Sequence, residues 1–454
     1  MARQADSALA PIEAELSRLV LRTQAEARLP SVAAAAFSRG EVLWAGAVGL
    51  ADAEAGEKAT PEHQYRIGSI TKTFTAAAVL QLRDAGELAL EDPLSRHLPE
   101  AAHGSPTIRG LLSHLSGLQR EVPGELWETM EFPDREGLLE AYAQAEHVLD
   151  PGAHWHYSNL AFALLGQVVE QRSGMGYERY VEERLFAPVG LERTTWEETP
   201  PAAKGYFVEP FEDVVRREPH PDLRAKRSAG QLWSTVGDLA RWASFLAEPA
   251  PEVLRPETAA EMRAFQGLAD HARWTQGYGL GLQLYREGER IYFGHTGGMP
   301  GFITAVFYSA NEHVGATVLT NATHSGRTVE LALQLASLAA ETLGEMEPWR
   351  PAADAPVQIA GLLGSWWSES SEWVFGYRAG RLEAKARDAA PWAPPAVFEP
   401  VGDDRFRVLS GSERGELLRV VRDESGEPVK LYWATYPFTR RAQVFGGRVL
   451  SPGS

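Results

Sequence analysis

In the run YRIGSITKTFTAA a serine and a lysine stand three residues apart, Ser69 and Lys72. At the start of a helix that spacing puts both side chains on one face, within reach of each other. Serine is a weak nucleophile until a neighbouring base takes its proton. Lysine can be that base once burial or another cation lowers its pKa. Gly68 leaves the position uncrowded, and a helix N-terminus favours developing negative charge. The plainer account is a capping serine beside a solvated lysine, because Ser-x-x-Lys recurs by chance.

Two further stretches carry side chains of the right kind. HWHYSNLAFALLG contains Tyr157 and Asn159. A tyrosine beside a lysine ammonium has a lowered pKa and can act as a general base. An asparagine two residues on can hold the lysine and donate to a substrate carbonyl. The plainer account is a loop tyrosine and an asparagine capping the helix that starts near Leu160. YFGHTGGMPGF contains His295, Thr296, Gly297 and Gly298. A glycine-rich strand edge lets a substrate lie alongside, and the Gly298 N–H could pair with the Ser69 N–H as oxyanion donors. The alternatives are a hairpin turn or a phosphate loop, but neither GxxxxGK[ST] nor GxGxxG occurs. The glycines of GYGLGL, 277 to 282, have the wrong spacing and read as a turn feeding a strand. His154 and His156 form an HxH pair with no acidic or histidine cluster to complete a metal site. A GxSxG elbow is lacking, which argues against an α/β-type hydrolase.

These residues need elements to hold them. Ile12, Leu16, Leu19 and Val20 form one stripe, predicting an amphipathic N-terminal helix. SVAAAAFSRGEVLWAGAVGLAD, 31 to 52, predicts a hairpin turning at Ser38-Arg39-Gly40. Ile70, Phe74, Ala77 and Ala78 repeat at helical spacing over 69 to 85, with Gly86 as the stop. Residues 107 to 200 read as helices and loops, and TVGDLARWASFLAE as another helix. Three strand-like runs fill RIYFGHTGGMPGFITAVFYSANEHVGATVLTNAT, with Gly297-Gly298 and Asn311-Glu312 read as the punctuation. Leu331, Leu335 and Leu338 then mark a helix face. Strands at both ends and helices between predict one antiparallel sheet built from both ends of residues 10 to 345. Pro348, Pro351 and Pro356 mark a linker. Beyond it, short alternating runs predict a small all-β domain. The division is 1–347, a linker at 348–356, and 357–454.

The bulk numbers bound the function. At 454 residues, 44% hydrophobic and 23% charged, the chain is a folded globular protein of about two domains. A net charge of -17 argues against nucleic acid and anionic membranes as partners. Zero cysteines exclude disulfides and thiol chemistry. No signal peptide or membrane-spanning run is visible, which favours a cytoplasmic protein. Oligomeric state is not encoded in any pattern found.

Taken in order, Ser-x-x-Lys, Tyr-x-Asn and His-Thr-Gly resemble the motif series of the serine β-lactamase and penicillin-binding-protein superfamily. LLSHLSGL (111 to 118) and SAGQLWSTVGDLARW (228 to 242) resemble its class C-like branch of esterases and D-amino-acid peptidases. The resemblance implies a β-lactamase-like α/β (α+β) fold: an antiparallel sheet flanked by helices, with a helical subdomain. It implies Ser69 as acylated nucleophile, Lys72 assisting its deprotonation, and Tyr157 as general base. Asn159 would orient lysine and substrate, and His295, Thr296 and Gly297 would line the far wall. The Ser69 and Gly298 N–H groups would form the oxyanion hole, with no metal or cofactor needed. The implied substrates are small esters, amides or D-configured peptides. The alternatives are a β-lactamase or D-Ala-D-Ala carboxypeptidase, and a penicillin-binding sensor acylated without turnover. His295 stands where β-lactamases carry a lysine, and a neutral histidine attracts a substrate carboxylate only weakly. That favours esters. The C-terminal domain resembles the lipocalin-like barrels appended to some members. Its Trp366, Trp367, Trp373, Trp392 and Trp433 either fill a barrel core or reach a substrate. Loops such as 119 to 135, with Trp127, Met130 and Phe132, are expected to set substrate choice.

Overall fold

The computed structural model describes residues 8–324, 327–344, 354–391 and 393–443. The chain divides into two compact units, numbered 1–345 and 346–454.

In the first unit, β1 (Ser31–Ser38) and β2 (Glu41–Asp52) form the expected hairpin. Arg39 and Gly40 turn it, both with positive φ (48° and 82°). Such turns match the right-handed twist of the strands they join. β3 (Arg290–Met299), β4 (Phe302–Ser309) and β5 (Val314–Thr320) return antiparallel, and β5 pairs with β1. Short strands at 283–287, 276–278 and 267–268 extend the sheet beyond β3, and Glu57–Lys58 pairs outside β2, giving nine strands. One antiparallel sheet is thus built from both ends of the unit. One sequence expectation fails here. Gly297-Gly298 is not a turn but lies within β3, and the chain reverses between Met299 and Phe302. Gly297 is a strand glycine because a Cβ on it would meet Ile67 O at 1.9 Å.

The sheet is covered on both faces. Along β1, Ala33, Ala35 and Phe37 join one core, while Val32, Ala34 and Ala36 join the other. Period-two alternation explains how an uninterrupted apolar run is a strand buried on both sides. The outer core is closed by α1 (Glu13–Glu26), through Leu16 and Val20, and by a C-terminal helix, Thr328–Leu343, through Leu331 and Leu335. The inner core holds α2 (Thr71–Asp84), α3 (Asn159–Ser173) and α4 (Val236–Ala247). Among the described residues no helix is long and apolar enough to cross a membrane.

In the second unit eight antiparallel strands run in sequence order from 364–368 to 436–438. Trp367 and Thr439 exchange backbone bonds of 2.7 and 2.9 Å, tying the first strand to the residue after the last. That pairing turns the sheet toward a closed barrel. Trp366 and Trp433 are buried in its core, with Trp373 packed against them. Trp366 donates to Leu362 O at 2.7 Å. Trp392 lies outside the described residues, as does most of the linker expected at 348–356.

Candidate active site

Ser69 sits in a single 3-10 turn, Gly68–Ile70, that runs directly into α2. It does not cap that helix: the N-cap is Ile70, which makes no side-chain capping bond. Every residue from Thr71 to Leu80 is buried, the threonines included. Their hydroxyls are satisfied. Thr71 donates to Gly68 O at 2.7 Å, Thr73 accepts from Trp242 Nε1 at 2.8 Å, and Thr75 donates to Ser228 O at 2.7 Å. A buried polar group is tolerated only when so bonded.

Lys72 is therefore no surface charge. It is fully buried, with Nζ 2.9 Å from Ser69 Oγ, 2.7 Å from Asn159 Oδ1 and 2.6 Å from the Ala229 carbonyl oxygen. Burial pushes its pKa well below the usual lysine value. Glu121 opposes that shift, whereas Lys226 and Arg120 reinforce it. Ser69 remains half-exposed, so a substrate can reach the hydroxyl that the lysine approaches from within.

Asn159 is the first residue of α3, and Ser158 is the cap, accepting from Ala161 N at 3.1 Å. The asparagine side chain is thereby free to link Lys72 to Glu121, to which its Nδ2 donates. The Asn159 N–H donates to Arg120 O at 2.8 Å, fixing the 119–121 segment against the helix start. Tyr157 lies between Lys72 and Arg120, each 5.0 Å from its ring centroid, and its hydroxyl bonds to Ser69. Burial drives the Tyr157 pKa up, outweighing the lowering by Ser69 and Arg120.

β3 forms the other wall. Gly68 has φ +51°, and a Cβ on it would come within 2.7 Å of Gly298 N. The Gly298 amide is thus adjacent to the turn that carries Ser69, and Gly298 is exposed. Thr296 is clamped by Gln283, which donates to its Oγ1 and accepts from its N–H, both at 3.1 Å. His295 is completely buried rather than open to the cleft. Its Nδ1 lies 2.5 Å from Thr296 O, so Nδ1 carries the proton and Nε2 accepts from Tyr278 O–H at 3.0 Å. Burial and the nearby Lys72 push its pKa down to about 3.

Four residues of the constellation escaped the sequence reading. Lys226 is buried and bonds Glu121 Oε2 at 2.6 Å, closing a chain Lys72–Asn159–Glu121–Lys226. Across 105 residues no spacing rule announces that pair. His114, within the LLSHLSGL run, packs against Tyr157 and Tyr278, and its Nδ1 accepts from Ser158 N at 3.1 Å. Tyr278 belongs to GYGLGL, a stretch read only as a turn. In the 119 to 135 loop, Phe132 is buried with Leu223 and Met299, while Trp127 is 41% exposed. Among the described residues no group of three His, Cys, Asp or Glu side chains is placed to hold a metal, and the His154 ring meets the His271 ring edge-on with centroids 6.0 Å apart.

The mixed α/β sandwich thus brings together a serine, a buried lysine, a tyrosine and a glycine-rich strand. The comparisons fix the family: Beta-lactamase matches residues 16–341, and the chain belongs to it. A Domain of unknown function (DUF7586) matches residues 355–440. The chain is 31% identical over 278 residues to the D-alanyl-D-alanine-carboxypeptidase/endopeptidase AmpH of Escherichia coli, covering 56% of this chain and 70% of that one. It is 27% identical to the D-aminopeptidase of Brucella anthropi, covering 87% and 74%. It spans half the length of a matching Dictyostelium discoideum relative. The crystal structure of SurE superposes with a TM-score of 0.63 at 24% identity, covering 95% of this chain and all of that one.

Proposed function

We propose that this protein is a serine hydrolase that works through an acyl-enzyme on Ser69, with small esters or D-configured amides and peptides as substrates. One observation carries the reading: Lys72 is fully buried with three oxygen neighbours about Nζ, and burial favours its neutral amine over an ammonium. Two are carbonyl oxygens, Asn159 Oδ1 and Ala229 O, which can only accept. A neutral amine gives its two N–H bonds to them and turns its lone pair to the third neighbour, Ser69 Oγ–H. Lys72 then takes the serine proton as Ser69 attacks the substrate carbonyl.

The developing oxyanion is received by the Ser69 and Gly298 N–H groups, a reading supported by the close approach of Gly68 to Gly298. Tyr157 serves as a phenol rather than a phenolate, because burial raises its pKa and disfavours the ammonium form of the neighbouring lysine. It passes its proton to the leaving group, and Lys72 restores it. Water then enters on the same path and releases the acid. Thr296 and Gly297 line the strand wall, and His295 supports it from behind as a neutral group.

A panel of p-nitrophenyl acetate and butyrate, D-amino-acid p-nitroanilides and nitrocefin tests the reading. Short esters or D-anilides should be turned over with Ser69-dependent rates. The second reading, a D-Ala-D-Ala carboxypeptidase or β-lactamase, has the AmpH likeness in its favour. Nitrocefin hydrolysis exceeding ester hydrolysis in kcat/KM would promote it.

A further inference from the structure

The charges around Ser69 nearly cancel, and the remainder sits on one side chain. His295 is neutral, and burial likewise holds His114 well below the usual histidine range. Lys72 is driven toward its neutral form by burial. The Glu121 carboxylate is taken up on both oxygens, by Asn159 Nδ2 and by the buried Lys226. Arg120 is left. It is exposed, its guanidinium lies 5.0 Å from the Tyr157 ring centroid, and among the described residues no carboxylate comes within ion-pair distance of it.

Arg120 is also held firmly at its base. Its carbonyl oxygen accepts from Asn159 N and Leu160 N at 2.8 and 3.3 Å. The preceding Gln119 is pinned to 146 through both backbone and side chain, at 3.0 and 2.7 Å. A planar guanidinium held over an aromatic ring, with its fork unengaged, can take a carboxylate in two parallel bonds. Arg217 and Arg224, also exposed, are each paired with acids, whereas Arg184 and Arg286, like Arg120, are not paired with any among the described residues.

We propose that Arg120 is the carboxylate receptor of this site, so that the preferred substrates are acidic: esters or amides carrying a free carboxylate that reaches the outer face of Tyr157. The inference rests on the serine-hydrolase reading and narrows its substrate class. It also moves the point of anion recognition. The cation missing at His295 is supplied from the opposite wall of the cleft, where α3 begins.

The test compares three chromogenic esters: p-nitrophenyl butyrate, mono-p-nitrophenyl glutarate with its carboxylate on the acyl side, and 3-carboxy-4-nitrophenyl butyrate with it on the leaving side. Wild type should favour one of the acidic esters in kcat/KM, which tells the two sources of carboxylate apart. In Arg120→Gln the ratio of that acidic ester to the neutral one should fall tenfold or more, chiefly through KM, and Arg120→Glu should invert it. A purely structural role would lower both esters together. An unchanged ratio in both variants overturns the proposal. Should no ester be turned over in a Ser69-dependent manner, the hydrolase reading fails instead. The receptor is then judged by glutarate titration calorimetry: binding weakened tenfold in Arg120→Gln supports it, and equal binding overturns it.

Discussion

Lys226 Nζ lies 2.6 Å from Glu121 Oε2, and through Asn159 that ion pair is bonded to Lys72. The pair sets the charge that Lys72 experiences. Glu121 favours the lysine ammonium, while Lys226 and burial disfavour it. In Lys226→Met the carboxylate is left uncompensated, so the pKa of Lys72 rises. The base is the neutral amine, so the acidic limb of the kcat/KM profile should move to higher pH. Glu121→Gln removes the opposing charge and should move the same limb to lower pH. Limbs that stay in place in both variants would count against Lys72 as the base. Lys226→Met should also cost about 1–3 kcal/mol in a denaturant titration, less than for a fully buried pair because Glu121 is 24% exposed and keeps its Asn159 bond.

Lys72→Ala and Tyr157→Phe should each reduce kcat by about 10²–10⁴-fold. The two removed together should cost little more than Lys72→Ala alone, because residues that act as a unit are not additive. Steady-state kinetics on the best ester reads both. Multiplicative losses would mean that the two side chains act independently.

Gly68→Ala places a methyl 2.7 Å from Gly298 N at a φ of +51°. The strand wall must give way, which spoils the geometry on which oxyanion stabilisation depends. A fall in kcat of about 10²-fold is expected, with KM little altered. A crystal structure with β3 displaced would accompany it; full activity would remove the Gly298 amide from the proposed mechanism.

His295 titrates near 3 when folded and near 6.5 when unfolded. Below 6.5 the unfolded chain binds a proton that the folded protein refuses. Stability conferred by the neutral form is therefore complete above 6.5 and is lost as pH falls toward 3. The slope is on the order of 1 kcal/mol per pH unit for that one group. His114, whose pKa is likewise lowered by burial, should add to the loss. Denaturant titrations between pH 4 and 7 should show a shallower decline in His295→Gln than in wild type. Equal slopes would mean that His295 is protonated in the folded protein.

Much of this was written in local pattern. The turn at Ser38-Arg39-Gly40 between two strand-like runs, the helical spacing from Ile70 to Ala78 and the glycine stop at Gly86 are all short-range signals, and each element formed where its pattern lay. The error at Gly297-Gly298 has a long-range cause. Gly297 is a glycine because Ile67 presses against it, a contact across 230 residues of chain. The same limit hid Lys226, whose partner Glu121 is supplied by a different loop, and Tyr278, whose hydroxyl bonds His295 Nε2 from another strand. The plainer account of Ser69 and Lys72 failed for a related reason. Whether a lysine near a helix start is solvated or buried depends on what packs over it. Here that cover comes from Asn159 and Ala229, far along the chain.

The central claim is that Ser69 carries the acyl group. Intact-protein mass spectrometry after brief exposure to a fluorophosphonate, followed by peptide mapping, tests it most directly, with ester turnover measured on the same samples. The account predicts a single adduct on the peptide containing Ser69, loss of turnover in step with labelling, and neither adduct nor turnover in Ser69→Ala. Turnover persisting in Ser69→Ala, or an adduct on another residue that abolishes activity, would contradict it.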